Sequence, residues 1–156
     1  MLDWKIGSFE TLDISELYEL LRLRSEIFIL EQDAPYQDLD NKDQYAIHIR
    51  GFRDGELVAY CRIFRRGDYF SEASVGRVVV RHKWRKYKYG HALVDEAIKQ
   101  LKRIWDEEDI TISGQSYLKK FYESHGFVQT SEEYLEDGLP HIQMKRTASF
   151  DDNSEK

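Results

Sequence analysis

Hydrophobic residues in the first half of the chain occur mainly in short β-rich runs that polar turns separate. Runs of this length and composition are typical of β-strands. The Asp54-Gly55 step lies between two of them and favours a tight hairpin. The pattern therefore predicts strands over residues 4–9, 45–52, 57–64 and 74–80.

Two longer segments show the helical period instead. Asp13 followed by Glu16 is a capping-box pattern, and it predicts a helix that reaches about Leu30. The apolar positions of this first helix are Ile14, Leu17, Tyr18, Leu21 and Phe28. A second, long amphipathic helix begins at Gly90, with a buried stripe of Leu93, Val94, Ala97, Ile98, Leu101, Ile104 and Trp105.

The remaining pattern completes one domain of mixed α and β structure. A short helical face over residues 117–122 ends at Gly126, a suitable left-handed C-cap. Strands are predicted at residues 110–113, 127–130 and 139–144. The strands on either side of the long helix form a βαβ unit, so they should be parallel. We expect a single α+β domain over residues 1–146 and a flexible C-terminal tail over residues 147–156.

Composition excludes several classes of protein. A length of 156 residues suits one domain, and the single cysteine, Cys61, excludes an intramolecular disulfide and a cysteine-rich zinc site. The five histidines show no paired metal-ligand spacing, so we expect no metal. A net charge of −6 argues against a nucleic-acid partner. Neither a membrane span nor a signal peptide is visible, so we expect a cytoplasmic protein.

The charge is unevenly distributed along the chain. Residues 77–88 carry six cationic side chains and no acid, whereas residues 31–43 hold five acids and one lysine. Such segments indicate an anionic ligand and a cationic one, or two solvated surface runs. The basic segment lies between a predicted strand and a helix N-terminus, where free N–H groups and the helix dipole favour anions. Arg85, Lys86 and Lys88 would add charge-assisted bonds to phosphates there.

Several motifs of the chain resemble those of one enzyme superfamily. The run RKYKYGHAL, residues 85–93, resembles the R-G-x-G-x-G-x-x-L signature of GNAT N-acetyltransferases, with lysines at positions 86 and 88 in place of glycine. The segments GRVVV and FYESHGF match the same superfamily. More narrowly, the chain resembles the ElaA-like branch through FILEQ, PYQDLD, GRVVV, FYESHGF and EDGLPH, which span residues 24–144.

This resemblance implies a fold and a cosubstrate. It implies a mixed, mostly antiparallel sheet that is flanked by helices and splayed between its fourth and fifth strands. Acetyl-CoA lies in that gap, and its pantetheine amides complete the ladder of the fourth strand, which would otherwise leave polar groups unpaired. The implied cofactor-binding residues are Val78, Val79, Val80, Arg85, Lys86, Lys88, Tyr89, Gly90, Gln115 and Tyr122.

The resemblance also assigns Tyr122 as the general acid that protonates the leaving thiolate. A core aromatic residue with its hydroxyl in water is the competing interpretation. The general base stays open between Glu31, His141 and a chain of water molecules. Cys61 lies among apolar strand residues and is expected to be an inert buried thiol.

Acceptor binding is a separate hypothesis. Asp38 and Asp40 of the acidic segment, with Arg77, are its candidate residues, and carboxylates there would favour a cationic small amine or peptide amine. The expected function is acyl-CoA-dependent transfer of an acetyl group to a primary amine by direct attack. A non-catalytic CoA-binding or protein-interaction domain is the alternative, and acylation of a homoserine-lactone precursor is a further one. The formation of a homodimer stays open.

Overall fold

The structure is a computed structural model that describes residues 1–148. Its first half forms a four-stranded antiparallel sheet in which strands that are neighbours in sequence pair with each other. The predicted Asp54-Gly55 turn joins two of these strands with positive φ at both residues, as a tight hairpin requires. The strands are β1 (Asp3–Ser8), β2 (Ile47–Arg53), β3 (Glu56–Phe64) and β4 (Ser74–Val80).

The last strands form a second antiparallel sheet with β8 as its central member. They are β5 (Ile110–Gln115), β6 (Val128–Gln129), β7 (Tyr134–Glu136) and β8 (Leu139–Arg146). Within residues 1–148 the two sheets share one parallel bridge, between Ala73 and Ile110, where the Thr111 amide donates to the Ala73 carbonyl at 2.8 Å. The predicted splay between the fourth and fifth strands is confirmed.

Among the described residues, three α-helices flank the sheets: α1 (Ile14–Arg24), α2 (Tyr89–Trp105) and α3 (Lys119–Glu123). The predicted capping box is present, since Asp13 accepts from the Glu16 amide and Glu16 accepts from the Asp13 amide. After α1 the chain continues as a π-helical segment, Ser25–Glu31. Of the apolar positions that predicted this helix, Ile14 and Tyr18 are exposed, whereas the neighbouring Leu20 and Leu23 are buried.

The two faces of the first sheet pack against different helices. On one face Cys61 and Ile63 belong to a buried cluster with Leu93 and Leu101 of α2. On the other face Tyr60 and Val79 pack with Leu20, Leu23, Ile27 and Phe28 of α1 and the π-helical segment. Burial of these apolar side chains holds both helices on the sheet. Helix α2 thereby places its N-terminus at the end of β4.

Three further observations bear on the sequence predictions. Strand β7 was not predicted, although the Asp137-Gly138 step that joins it to β8 has positive φ at both residues and is a hairpin signal. No helix within residues 1–148 is long and apolar enough to cross a membrane. The predicted tail lies outside the described residues from position 149 onward, so the division at residue 146 stays a prediction.

Candidate active site

Two cavities meet at the gap between β4 and β5. The large cavity has a volume of about 560 Å³, which is within the usual range for ligand sites, and the small cavity has about 80 Å³. Tyr122 lines both of them. The residues common to the two linings are Phe28, Gln32, Val78, Gln115, Leu118 and Tyr122. Across this junction Nε2 of the Gln115 side chain donates a hydrogen bond to Gln32 Oε1 at 3.2 Å.

The open edge of β4 forms one wall of the large cavity. Val78, Val79 and Val80 line it, as predicted for the cofactor-binding strand. The strand bulges beside them: Tyr60 pairs with Val79 and Arg62 with Gly76, so the intervening part of β4 has one extra residue. Arg77 lies in this bulge with a positive φ of 51°. Within residues 1–148, β4 and β5 share only the bridge between Ala73 and Ile110, which leaves the edge of β4 at Val78–Val80 available to a ligand.

The basic turn closes one end of the large cavity. A 3₁₀ turn over His82–Tyr87 leads to Lys88, which has a left-handed φ of 61° and precedes α2. No side chain within the described part of the chain caps this helix N-terminus. Arg85, Lys88 and Gly90, three of the predicted cofactor-binding residues, line the cavity. The turn therefore directs both charge and free helix N–H groups toward an anion.

Two residues of the predicted cofactor set lie outside this lining. Lys86 is exposed, and its ammonium lies 5.3 Å from the centre of the Tyr87 ring. Tyr89 is buried, and its hydroxyl accepts a hydrogen bond from Arg53 Nη1 at 3.0 Å. The side chains of Lys86 and Tyr89 thus contribute to the packing of the turn rather than to the cavity wall.

An ion pair joins two residues that line the large cavity, Glu31 and Arg85. Arg85 donates to both carboxylate oxygens of Glu31, with Nη2 and Oε2 at 2.7 Å, and its Nε donates to the Val80 carbonyl at 3.0 Å. The hydrogen bond from Arg85 lowers the pKa of Glu31. A carboxylate with a lowered pKa is a weaker proton acceptor. The ion pair with Arg85 and the lowered pKa both argue against Glu31 as the general base.

Tyr122 is fixed at the junction of the cavities by the end of α3. The Phe127 amide donates to the Tyr122 carbonyl at 3.2 Å, and the Gly126 amide donates to that of Glu123 at 3.0 Å. With Gly126 at a φ of 89°, these bonds form the Schellman motif that the sequence predicted as a C-cap. Tyr122 is 6% exposed, and burial raises its pKa. Its hydroxyl therefore stays protonated and able to donate.

Several polar side chains line the small cavity, and only some of them were predicted from the sequence. His141, a predicted site residue, lies there with its Nε2 3.3 Å from Oε2 of Glu136. Glu136 and Asp137, which were not predicted from the sequence, line the same cavity. The Asp137-Gly138 step after Glu136 is the sequence signal for this arrangement. A hairpin at that step pairs β7 with the start of β8, where His141 lies.

The acidic segment is arranged differently from the expectation. Asp38 and Asp40 do not line either cavity. Asp38 pairs with Arg24 at 2.9 Å and with Arg77 at 2.7 Å, and Asp40 pairs with Arg62 at 2.5 Å. The proposal that these two carboxylates attract a cationic acceptor is therefore corrected: arginines already neutralise them. Arg77 lines the small cavity while its guanidinium is held by Asp38.

Other candidate groups have structural surroundings. Cys61 is fully buried, and burial raises the pKa of its thiol, which suits an inert side chain. His125 lies between Asp95 and His91, with its Nδ1 3.0 Å from Asp95 Oδ1 and its Nε2 2.9 Å from His91 Nδ1. Within residues 1–148, no group of three or more His, Cys, Asp or Glu side chains has the arrangement of a metal site.

Comparison with known proteins agrees with this arrangement. A family model described as an acetyltransferase (GNAT) domain matches residues 22–148. The chain belongs to the GNAT acetyltransferase family. It is 38% identical to Protein ElaA of Escherichia coli strain K12 over 148 residues, which cover 94% of this chain and 97% of that protein. The resemblance to the ElaA-like branch of the GNAT family is thus confirmed.

Solved structures of GNAT proteins share the fold. An acyl-CoA N-acyltransferase from Pseudomonas aeruginosa superposes with a TM-score of 0.87 at 38% identity, covering 94% of this chain and 100% of that one. Escherichia coli ElaA superposes with a TM-score of 0.86 at 38% identity, covering 94% and 99%. The chain therefore has the fold of a GNAT acyl-CoA N-acyltransferase, a fold that uses acyl-CoA as its cosubstrate.

Proposed function

We propose that this protein transfers an acetyl group from acetyl-CoA to a primary amine by direct attack, with Tyr122 as the general acid. The observation that carries the proposal is the position of Tyr122, which lines both the large and the small cavity. A donor in one cavity and an acceptor in the other would meet at this side chain. Holding two reactants at one point supplies much of the rate enhancement of a transfer reaction.

The large cavity has features that suit acetyl-CoA. The edge of β4 at Val78–Val80 offers backbone groups to the pantetheine amides. Arg85 and Lys88 supply positive charge at the end where α2 begins, which suits the pyrophosphate. A cavity of about 560 Å³ is of the usual size for a ligand site, which suits a bound pantetheine arm.

The chain's residues would act on the two ends of the reaction. The amine nitrogen forms a bond to the thioester carbonyl carbon, and the carbon–sulfur bond breaks. Tyr122 donates its hydroxyl proton to the departing sulfur, and the proton that the attacking nitrogen loses restores the hydroxyl. Because Tyr122 is buried, this exchange is shielded from bulk water.

Tyr122→Phe tests the proposal, since it removes the hydroxyl and keeps the ring. With acetyl-CoA and a panel of primary amines, kcat should fall about 10- to 1000-fold, the usual contribution of a positioned acid. The affinity for CoA, measured by calorimetry, should stay nearly the same. Tyr117→Phe is the matched control, because Tyr117 lines the large cavity only and is exposed.

Two results would contradict the proposal. Wild-type turnover in Tyr122→Phe would reduce Tyr122 to a packing role. CoA binding without acyl transfer to any amine by the wild-type protein would favour a non-catalytic CoA-binding domain.

A further inference from the structure

Glu136 and His141 face each other in the small cavity from adjacent strands. His141 belongs to β8 and Glu136 to β7, and the two strands pair around the turn at Asp137 and Gly138. The His141 side chain is 10% exposed and that of Glu136 is 38% exposed. The pair is therefore largely shielded on the histidine side and open to water on the carboxylate side.

The backbone fixes the protonation pattern of the His141 ring. Its Nδ1 lies 2.8 Å from the Leu139 carbonyl oxygen, which can only accept a hydrogen bond. Nδ1 therefore carries a hydrogen, and in the neutral ring the lone pair belongs to Nε2. Nε2 lies 3.3 Å from Oε2 of Glu136. A lone pair and a carboxylate oxygen attract each other only when a proton lies between them, so the geometry forms a site that accepts one proton.

Neighbouring side chains hold both members of the pair in place. Ser113 donates to Oε1 of Glu136 at 3.3 Å, and the Tyr134 hydroxyl is 2.5 Å from Ser113 Oγ. The Tyr134 ring stacks on His141, with ring centres 6.3 Å apart and an interplanar angle of 25°. These contacts leave Oε2 of Glu136 directed at Nε2 of His141, where the carboxylate stabilises the proton that the ring takes up.

The pair lies on the opposite side of Tyr122 from the acyl-donor cavity. Tyr122, His141 and Glu136 all line the small cavity, whereas Glu31 lines only the large one. Alkylamines are mostly protonated at neutral pH, so an acceptor must lose a proton before it attacks. The carboxylates of Glu136 and Asp137 give the small cavity a negative edge that suits the charged form of such an amine. Arg77, the cation of that lining, is occupied by Asp38.

We propose that Glu136 and His141 are the proton-accepting pair for a cationic primary amine, with His141 as the general base and Glu136 as its positioning residue. This rests on the proposed function. The ammonium gives one proton to Nε2 of His141, and that proton leaves to water past the exposed carboxylate of Glu136. The neutral amine then attacks, and its second proton passes to the sulfur through Tyr122. The products are the amide, the free thiol of CoA and one proton.

Two acceptors of equal length test the assignment: a primary alkylamine, which is a cation at neutral pH, and the corresponding O-alkylhydroxylamine, which is neutral. With acetyl-CoA as the donor, His141→Gln and Glu136→Gln should lower kcat/KM for the alkylamine about 100-fold, the scale of a lost general base. For the neutral acceptor, the loss should stay within about fivefold, because no proton has to be removed before attack. Glu136→Asp should restore part of the alkylamine activity.

Control and contrary outcomes separate the two proposals. Glu133→Gln removes an exposed carboxylate nearby and should change neither acceptor's rate. Equal losses for both acceptors would overturn the base assignment and leave the proposed function intact. A wild-type protein that acylates neither acceptor would overturn both. Nitrogen NMR of the His141 ring in the wild-type protein adds a readout without a substitution, because a neutral ring protonated at Nε2 would also overturn the assignment.

Discussion

At the scale of single residues, the position of Tyr122 depends on a glycine in the neighbouring sheet. A methyl group at Gly114 of β5 would lie 3.1 Å from Cε2 and 3.4 Å from Cδ2 of the Tyr122 ring. The Schellman motif at Gly126 also fixes the backbone of Tyr122. Its ring makes an edge contact with the Phe127 ring, with 5.9 Å between ring centres. Gly114 therefore allows the close approach that brings the hydroxyl to the junction of the cavities.

Gly114→Ala should displace the Tyr122 ring by a few tenths of an ångström and lower kcat for acyl transfer roughly tenfold, since small misplacements of catalytic groups are costly. Stopped-flow or steady-state kinetics would measure the change. In a Tyr122→Phe background, the same substitution should have little further effect on kcat, because the two changes act on one group. Independent, multiplicative losses would show that Gly114 acts by another route.

The sequence could predict Tyr122 because the motif that contains it is local: the tyrosine, the helix turn and Gly126 lie within five residues. The partners of Asp38 and Asp40 could not be predicted in the same way. Asp38 meets Arg77, which is 39 residues away, and Asp40 meets Arg62, which is 22 residues away. Such pairs form only after β3 and β4 are folded, so the acidic run looked like a free surface.

At the scale of elements, the π-helical segment and the basic turn contact each other beside the large cavity. One of the contacts between them is the Glu31–Arg85 ion pair, with side chains 31% and 40% exposed. Arg85 also belongs to the proposed phosphate site, so Glu31 and the CoA phosphates would compete for one guanidinium. Partly exposed pairs of this kind contribute about 0.2–1 kcal/mol.

Glu31→Gln should therefore tighten CoA binding by up to about fivefold. In this variant Arg85 can bind the CoA phosphates without first releasing the carboxylate of Glu31. Calorimetric titration at low salt measures this. Glu26→Gln is the matched control, since Glu26 lies on the same segment and pairs with Arg81, 3.6 Å away. Unchanged or weaker CoA binding in Glu31→Gln would mean that the two anions do not compete for Arg85.

Element types and their order were largely predictable, because periodicity and turn residues act locally. The ends of the elements were less predictable. The segment that was predicted as one helix to Leu30 becomes π-helical at Ser25. Strand β7 has three residues and pairs with β8. Short strands of this kind depend on tertiary pairing rather than on their own sequence pattern.

At the scale of the whole molecule, a buried charge cluster links α1, the acidic segment and the first sheet. Arg24 and Arg62 both donate to Oδ1 of Asp43, at 2.7 and 2.8 Å. His48 lies beside the cluster with its Nε2 2.9 Å from the Asp43 carbonyl and its Nδ1 2.6 Å from the Tyr60 hydroxyl. Burial lowers the pKa of His48, and the two arginines lower it further against the opposing effect of Asp43.

His48 should make the protein less stable as the pH falls. The unfolded ring takes up a proton below about pH 6.5, whereas the folded ring resists it, so the unfolded state gains more protons and the free energy of unfolding decreases. Melting temperatures between pH 7.5 and 5.5 should fall, and His48→Gln should reduce that slope. His125, whose pKa is also lowered by burial, accounts for a residual slope.

His82→Gln is the control for this experiment, because His82 is exposed and should leave the slope unchanged. An identical pH dependence in wild-type protein and His48→Gln would show that His48 does not carry the acid sensitivity.

The division of the sheets has a consequence for how activity arises during folding. Residues 3–80 supply every strand of the first sheet and residues 110–146 every described strand of the second, with α2 between them. Val78–Val80 come from the first block, whereas Gln115 and Tyr122 come from the second. Each block can complete its own hydrogen-bond ladder before the two dock. The reaction centre exists only at their border, so turnover should report the docking of the blocks rather than the formation of either one.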